Sequence, residues 1–261
     1  LERMHAHRRL ISLRRATRAL VTCLGLLIGA GEPAQAQQPD LPVDRPLALQ
    51  AGEALVYDVR FGFLNVGTAR MNVIGIETVR GRPAWHTRLE IVGGVPGYAV
   101  RDVLESWVDV ATGNSLRFWQ QSVEGSRQRE RRYEIEPERG IYQQDGRPES
   151  PTVAQPLDEG AFMYFLRSQS LDPGVTYSYP RYFVPDRNPV TVTVVRQERI
   201  VVPAGRFDTV VLKPVIKSAG VFAENGRAEI WLTNDERRWM VQMVTHLKFG
   251  TLSLRLRQPQ A

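Results

Sequence analysis

Three arginines, Arg127, Arg129 and Arg131, occupy every second position of one short run, with Glu130, Glu134 and Glu136 at the opposite parity. On an extended strand, alternate residues share a face. The three guanidinium groups therefore line up and could clamp a phosphate or a carboxylate, for example a lipid head group. The same spacing also suits a solvated edge whose charges deter strand-to-strand aggregation.

Other residues offer little chemistry. His86 alternates with Arg88 and Glu90, and His246 with Gln242 and Lys248, so both fall on polar strand faces and are expected to be solvated. No His-Glu-x-x-His or paired-histidine spacing exists to hold a metal. Gly125-Ser126-Arg127 lacks the rest of a nucleophile elbow. Glu105 and Asp109 share a strand face, but about 13 Å of extended chain separates them, too far for either glycosidase arrangement. The expectation is no catalytic residue, no metal and no cofactor, with an unrecognised hydrolase as the remaining enzymatic reading. The apolar loop Gly93-Gly94-Val95-Pro96-Gly97-Tyr98 could act as a lid, touch a partner through Tyr98, or tuck into a barrel mouth.

The elements positioning these residues are strands. Leu55, Tyr57, Val59 and Phe61 alternate with more polar neighbours, and the same period of two returns at 69–73, 85–91, 190–194, 239–249 and 252–256. Gly81-Arg82-Pro83, Asp145-Gly146, Pro203-Ala204-Gly205 and Asn234-Asp235 mark the turns between such runs. Ten to thirteen short strands with one apolar face must curl or fold over to bury it. The fold class is mainly all-β: an antiparallel curved sheet, a barrel or a sandwich. One segment departs from the period. Phe162, Phe165 and Leu166 fall at i, i+3, i+4, with Asp158 placed to cap, which predicts one short amphipathic helix packed on the sheet or plugging a barrel end. Trp85, Trp107, Phe118, Tyr133 and Phe165 are expected inside, where they receive an apolar ligand or fill the core.

The first 36 residues have a separate character: Arg8, Arg9, Arg14, Arg15 and Arg18, then an apolar stretch from Ala19 to Ala30, then Ala34-Gln35-Ala36. That order reads as a cleavable signal peptide over 1–36, with export to the periplasm by the general secretory route. Residues 37–51 are Pro- and Gln-rich and read as a flexible lead-in, and 52–258 as a single β-rich domain. The lone cysteine, Cys23, belongs to the leader, leaving no thiol for a disulfide, thiolate catalysis or thiolate metal binding. The chain holds 34 Lys+Arg and 28 Asp+Glu; six of the arginines and two of the glutamates lie in 1–36, so the remainder carries a net +2. That near-neutral balance argues against nucleic-acid binding.

Several stretches, in order, resemble one family. They are Gly52-Glu53-Ala54-Leu55-Val56-Tyr57-Asp58-Val59 with Val66-Gly67-Thr68-Ala69, Glu105-Ser106-Trp107-Val108-Asp109, Phe162-Met163-Tyr164-Phe165-Leu166-Arg167, Val202-Pro203-Ala204-Gly205-Arg206-Phe207-Asp208, and Ala228-Glu229-Ile230-Trp231-Leu232-Thr233-Asn234-Asp235. Together they resemble the domain-of-unknown-function 3108 family of exported β-rich bacterial proteins. The resemblance implies a fold and a location and carries over no catalytic residue. The expected function is non-enzymatic binding, in the envelope, of a lipid, an apolar ligand or a partner segment. Arg127, Arg129, Arg131, Trp85, Trp107 and Tyr98 are the candidate contacts. A structural or assembly factor that binds another envelope protein is the alternative, and peripheral membrane association is compatible with both.

Overall fold

The computed structural model describes residues 47, 49–95, 97–216, 228–247 and 250–260. The expected signal peptide and most of the expected lead-in lie outside the described residues. Leu47 and Leu49, at the end of that lead-in, pack against the core.

Eight strands precede the helix: β1 (Ala54–Phe61), β2 (Leu64–Val79), β3 (Arg82–Val95), β4 (Tyr98–Asp109), β5 (Ser115–Glu124), β6 (Arg127–Glu136), β7 (Ile141–Gln144) and β8 (Ser150–Pro151). The helix α1 (Glu159–Arg167) comes next, followed by β9 (Thr176–Tyr179), β10 (Val190–Val202), β11 (Gly205–Val215), β12 (Glu229–Thr233), β13 (Met240–Leu247) and β14 (Gly250–Gln260). All fourteen strands pair antiparallel in one sheet, ordered β8-β7-β6-β5-β4-β3-β2-β1-β14-β13-β12-β11-β10-β9. The single sheet replaces the sandwich alternative, and short strands such as β8 raise the number above the thirteen expected from periodicity.

Strand pairing joins the first strand to the last and does not close the sheet. The edges instead meet through loops: Leu157 and Tyr182 form a parallel bridge, with Leu157 N donating to Arg181 O (2.6 Å) and Phe183 N to Leu157 O (3.0 Å). Local chemistry drives the hairpins. Arg80 and Gly81 both take positive φ, 48° and 79°, the twist that lets a two-residue turn follow the right-handed twist of β2 and β3. Register shifts, as between Val73 and Gly75 or Trp231 and Leu232, bend the strands inward.

Curling the sheet puts the period-two apolar face inside. Leu55, Tyr57, Val59, Ala69, Met71, Val73, Leu254 and Leu256 form one buried cluster with α1. The outer face is ionic and wet, with cross-strand pairs Arg88–Glu105, Arg117–Glu134 and Arg199–Asp208. A lipid-embedded barrel would present the opposite pattern. Among the described residues, no helix is long and apolar enough to cross a membrane.

The helix lies inside the curl, with every residue from Gly160 to Arg167 buried. Asp158 caps it, accepting from Gly160 N and Ala161 N (both 2.9 Å) and from the hydroxyls of Ser106 (2.5 Å) and Ser115 (2.7 Å). Gly160 is required by proximity: a Cβ there would fall inside the contact radius of Ser106 Oγ. At the other end, Arg167 is paired with Glu53 just before β1. The helix is thereby pinned toward the end of the sheet opposite the β1–β2, β3–β4 and β5–β6 turns.

Candidate functional site

Antiparallel register lines up inner-face residues in rows across β2 to β6. One row reads Met71, Leu89, Leu104, Gln120, Arg131, and the next reads Ala69, Ile91, Asp102, Ser122, Arg129. Within five strands, about 19 Å at the usual strand spacing, the wall changes from aliphatic through neutral polar to cationic. A cavity of about 560 Å³ lies against this wall. Met163 and Glu159 of α1 contribute its floor, and Met240, Met243 and Leu254 its far side. That volume is within the range of small-molecule sites, and the flexible thioethers of four methionines, Met71 included, suit an irregular apolar guest.

The ionic groups of the cavity divide into satisfied and unsatisfied sets. In the first, Tyr182 donates its hydroxyl to Glu159 Oε1 (2.7 Å), and Arg187 donates to Tyr182 Oη (2.9 Å) and stacks over the same ring. Burial drives the Tyr182 phenol far above its ordinary range, with the Glu159 charge adding to the rise, so it stays a donor. In the second set are Arg129 and Arg131, whose side chains make no ion pair and no hydrogen bond among the described residues. Asp102 is the other member. Its Oδ1 is shut from solvent without a hydrogen-bond partner. Desolvation raises its carboxyl above the ordinary aspartate value, against an opposing effect of the Ser122 hydroxyl, and the Glu124 charge raises it further.

The structure separates the residues picked out by type. Arg129 and Arg131 face the cavity; Arg127 shares their strand parity, opposite Glu124 at the rim, but does not line it. Trp85 is half-buried on the inner face against the core, away from the cavity. Trp107 is on the outer face, stacked on His86 at 4.3 Å and donating to Glu77 Oε2 (2.8 Å). It was expected inside, but it pairs with His86 across the sheet and so shares that residue's outward side. Tyr98 opens β4 at the β3–β4 turn; its side chain, like Pro96, lies outside the described residues.

His246 is exposed, as its parity implies, whereas His86 is only 8% exposed. Trp107 covers the His86 ring, and its Nδ1 lies 2.8 Å from Glu77 Oε1. Glu105 and Asp109 form no acid pair: Glu105 pairs with Arg88, while Asp109 binds Arg82 and the backbone of the turn at Ala111 and Thr112. Ser106 and Ser115 are committed to capping Asp158, and His86 lies across the sheet from Ser106. Among the described residues there is no cluster of three metal-ligating side chains. The arrangement can bind, through a charged end and an apolar end.

Sequence reasoning missed Asp102, which with Glu124 gives the polar wall both signs of charge. Parity alone would have found it, since Asp102 is in phase with Leu104 and Ser106 of the inner face.

One distant solved structure agrees with this architecture. The beta-barrel-like protein of domain of unknown function DUF1849 from Brucella abortus superposes with a TM-score of 0.53 at 15% identity, covering 82% of this chain and 99% of that one. A hypothetical protein from Chlamydia trachomatis matches with a TM-score of 0.37 at 7% identity over 82% of this chain and 89% of its own. No curated protein matches. The family model described as "Protein of unknown function (DUF3108)" matches residues 56–257, and the chain belongs to that family.

Proposed function

We propose that this protein is a non-enzymatic binder of a single-chain amphiphile with an anionic group at its head, acting in the bacterial envelope. One observation carries the reading: two arginines with no ion-pair partner among the described residues and a methionine-rich apolar wall border the same 560 Å³ cavity. Burial of apolar chain against that wall contributes about 25 cal/mol per Å². The guanidinium groups fix the head by charge-assisted hydrogen bonds. The signal-like leader read from residues 1–36 supports an exported location, and the hydroxyls of Ser106 and Ser115 are both taken up by the Asp158 cap.

Titration of the purified protein with a fluorescent fatty acid, displaced by palmitate, tests the proposal. Saturable binding that falls at least tenfold in R129A/R131A is expected. Absence of saturable binding to palmitate and to every lysophospholipid tried would overturn it.

A second reading, an assembly factor for another envelope protein, is favoured by Phe63 and Leu64, which stand 83% and 52% exposed at the β1–β2 hairpin. Crosslinking from position 63 in intact cells tests it, with a recurrent protein adduct expected and none counting against it.

A further inference from the structure

The cavity carries an acid that an anion-binding site has no use for. Asp102 stands in the same inner-face row as Arg129, with only Ser122 between them. Asp102 Oδ1 is closed to solvent without a hydrogen-bond partner, while the Ser122 hydroxyl acts as a donor on the half-buried carboxyl. A buried carboxylate oxygen left without a donor is costly, and natural proteins rarely leave one so. A donor brought by a guest removes the cost. Arg129, two strands away or about 10 Å between backbones, makes no ion pair with it.

We propose that Asp102 is the second half of a head-group clamp, accepting from a protonated amine while Arg129 and Arg131 hold the neighbouring anion. The ligand class is then a single-chain zwitterionic amphiphile whose ammonium bears N–H donors, as in a lysophosphatidylethanolamine. This rests on the binding function proposed above. Three features of the wall match the three parts of such a molecule. The methionine and leucine row takes the chain, while Asp102 and Arg129, in the adjacent row with Ser122 between them, take the ammonium and the phosphate side by side. A quaternary ammonium has no hydrogen to give Oδ1, and a head without nitrogen leaves that oxygen unpaired.

Isothermal titration of the purified protein with lysophosphatidylethanolamine, lysophosphatidylcholine, lysophosphatidic acid, palmitate and free phosphoethanolamine tests the clamp. The expected result is lysophosphatidylethanolamine binding at least tenfold tighter than the choline and phosphatidic acid forms, with free phosphoethanolamine at least a hundredfold weaker. D102N is expected to abolish the preference for the ethanolamine head and to bind palmitate more tightly than wild type once the carboxylate charge is gone. Palmitate bound tightly with no preference for the ethanolamine head, or D102N weakening all probes equally, would overturn the clamp and leave the binding function standing. Free phosphoethanolamine binding as tightly as the lyso-lipid would overturn the amphiphile half, and binding by none of the probes overturns both proposals.

Discussion

Glu53 and Arg167 hold each other in a two-pronged ion pair inside the protein, Nη1 to Oε1 at 2.6 Å and Nη2 to Oε2 at 2.8 Å, with side chains 7% and 4% exposed. Trp239 Nε1 also donates to Glu53 Oε2 (3.1 Å), and Arg237 O accepts from Arg167. The pair ties the start of the sheet to the end of the buried helix, 114 residues later. Every nitrogen of the guanidinium and both carboxylate oxygens make at least one hydrogen bond, which is the condition under which a buried pair is tolerated.

Removing one partner leaves the other charge buried and alone. E53A or R167A is expected to lower unfolding free energy by about 3–5 kcal/mol, read from urea denaturation. Replacing both with apolar residues of similar size, as in E53L/R167M, should lose much less than the sum of the single losses. A loss under about 1 kcal/mol for either single variant would mean that the pair does not anchor α1.

Asp158 makes stability depend on pH in an unusual direction. Burial pushes its carboxyl up to about 6 from the ordinary 3.8, while the Ser106 hydroxyl, Ala161 N, the Ser115 hydroxyl and Gly160 N oppose the rise. Its proton is held more tightly in the folded chain than in the unfolded one. Its contribution is therefore complete below 3.8 and is lost as pH rises through 6. Two units correspond to roughly 3 kcal/mol. D158N keeps an acceptor at the cap and removes the titration. Wild type should gain about 2–3 kcal/mol on D158N between pH 7 and pH 4. A constant difference across that range in urea titrations would sink this account.

The cap also depends on a missing side chain. At Gly160 an added methyl meets Ser106 Oγ, the hydroxyl that donates to Asp158. G160A is expected to cost about 1–3 kcal/mol, and most of that cost should vanish when G160A is measured in an S106A background. Equal costs in both backgrounds would assign the clash to something other than the hydroxyl.

Much of this was legible from spacing alone. Period two located the strands, and the i, i+3, i+4 pattern with Asp158 ahead of it located the helix, because both signals are local. Which parity faces inward is not local. The spacing of Arg127, Arg129 and Arg131 implies a shared face, but only the pairing of Phe118 with Tyr133 shows that it is the concave one. Trp107 misled because an aromatic on a strand suggests burial on the core side. It is buried on the outer side instead, by His86 and by Arg117 over its ring at 5.6 Å. The Glu53–Arg167 pair was invisible because its partners meet only after the sheet curls.

The cavity arginines give a test in which stability and binding should part company. A charged pair kept for folding costs stability when removed, as at Arg167. Arg129 and Arg131 have no ion-pair partner among the described residues to lose, and they stand exposed on the rows of β6. R129A/R131A should therefore change unfolding free energy by no more than about 0.5 kcal/mol per site, or raise it by relieving like-charge repulsion at alternate positions of one strand. The same variant should lose binding of an anionic amphiphile tenfold or more, since each charge-assisted hydrogen bond contributes about 1.5–3 kcal/mol. Thermal denaturation beside a palmitate titration reads both quantities. A large stability loss would make the arginines part of the scaffold, and unchanged binding would remove them from the site.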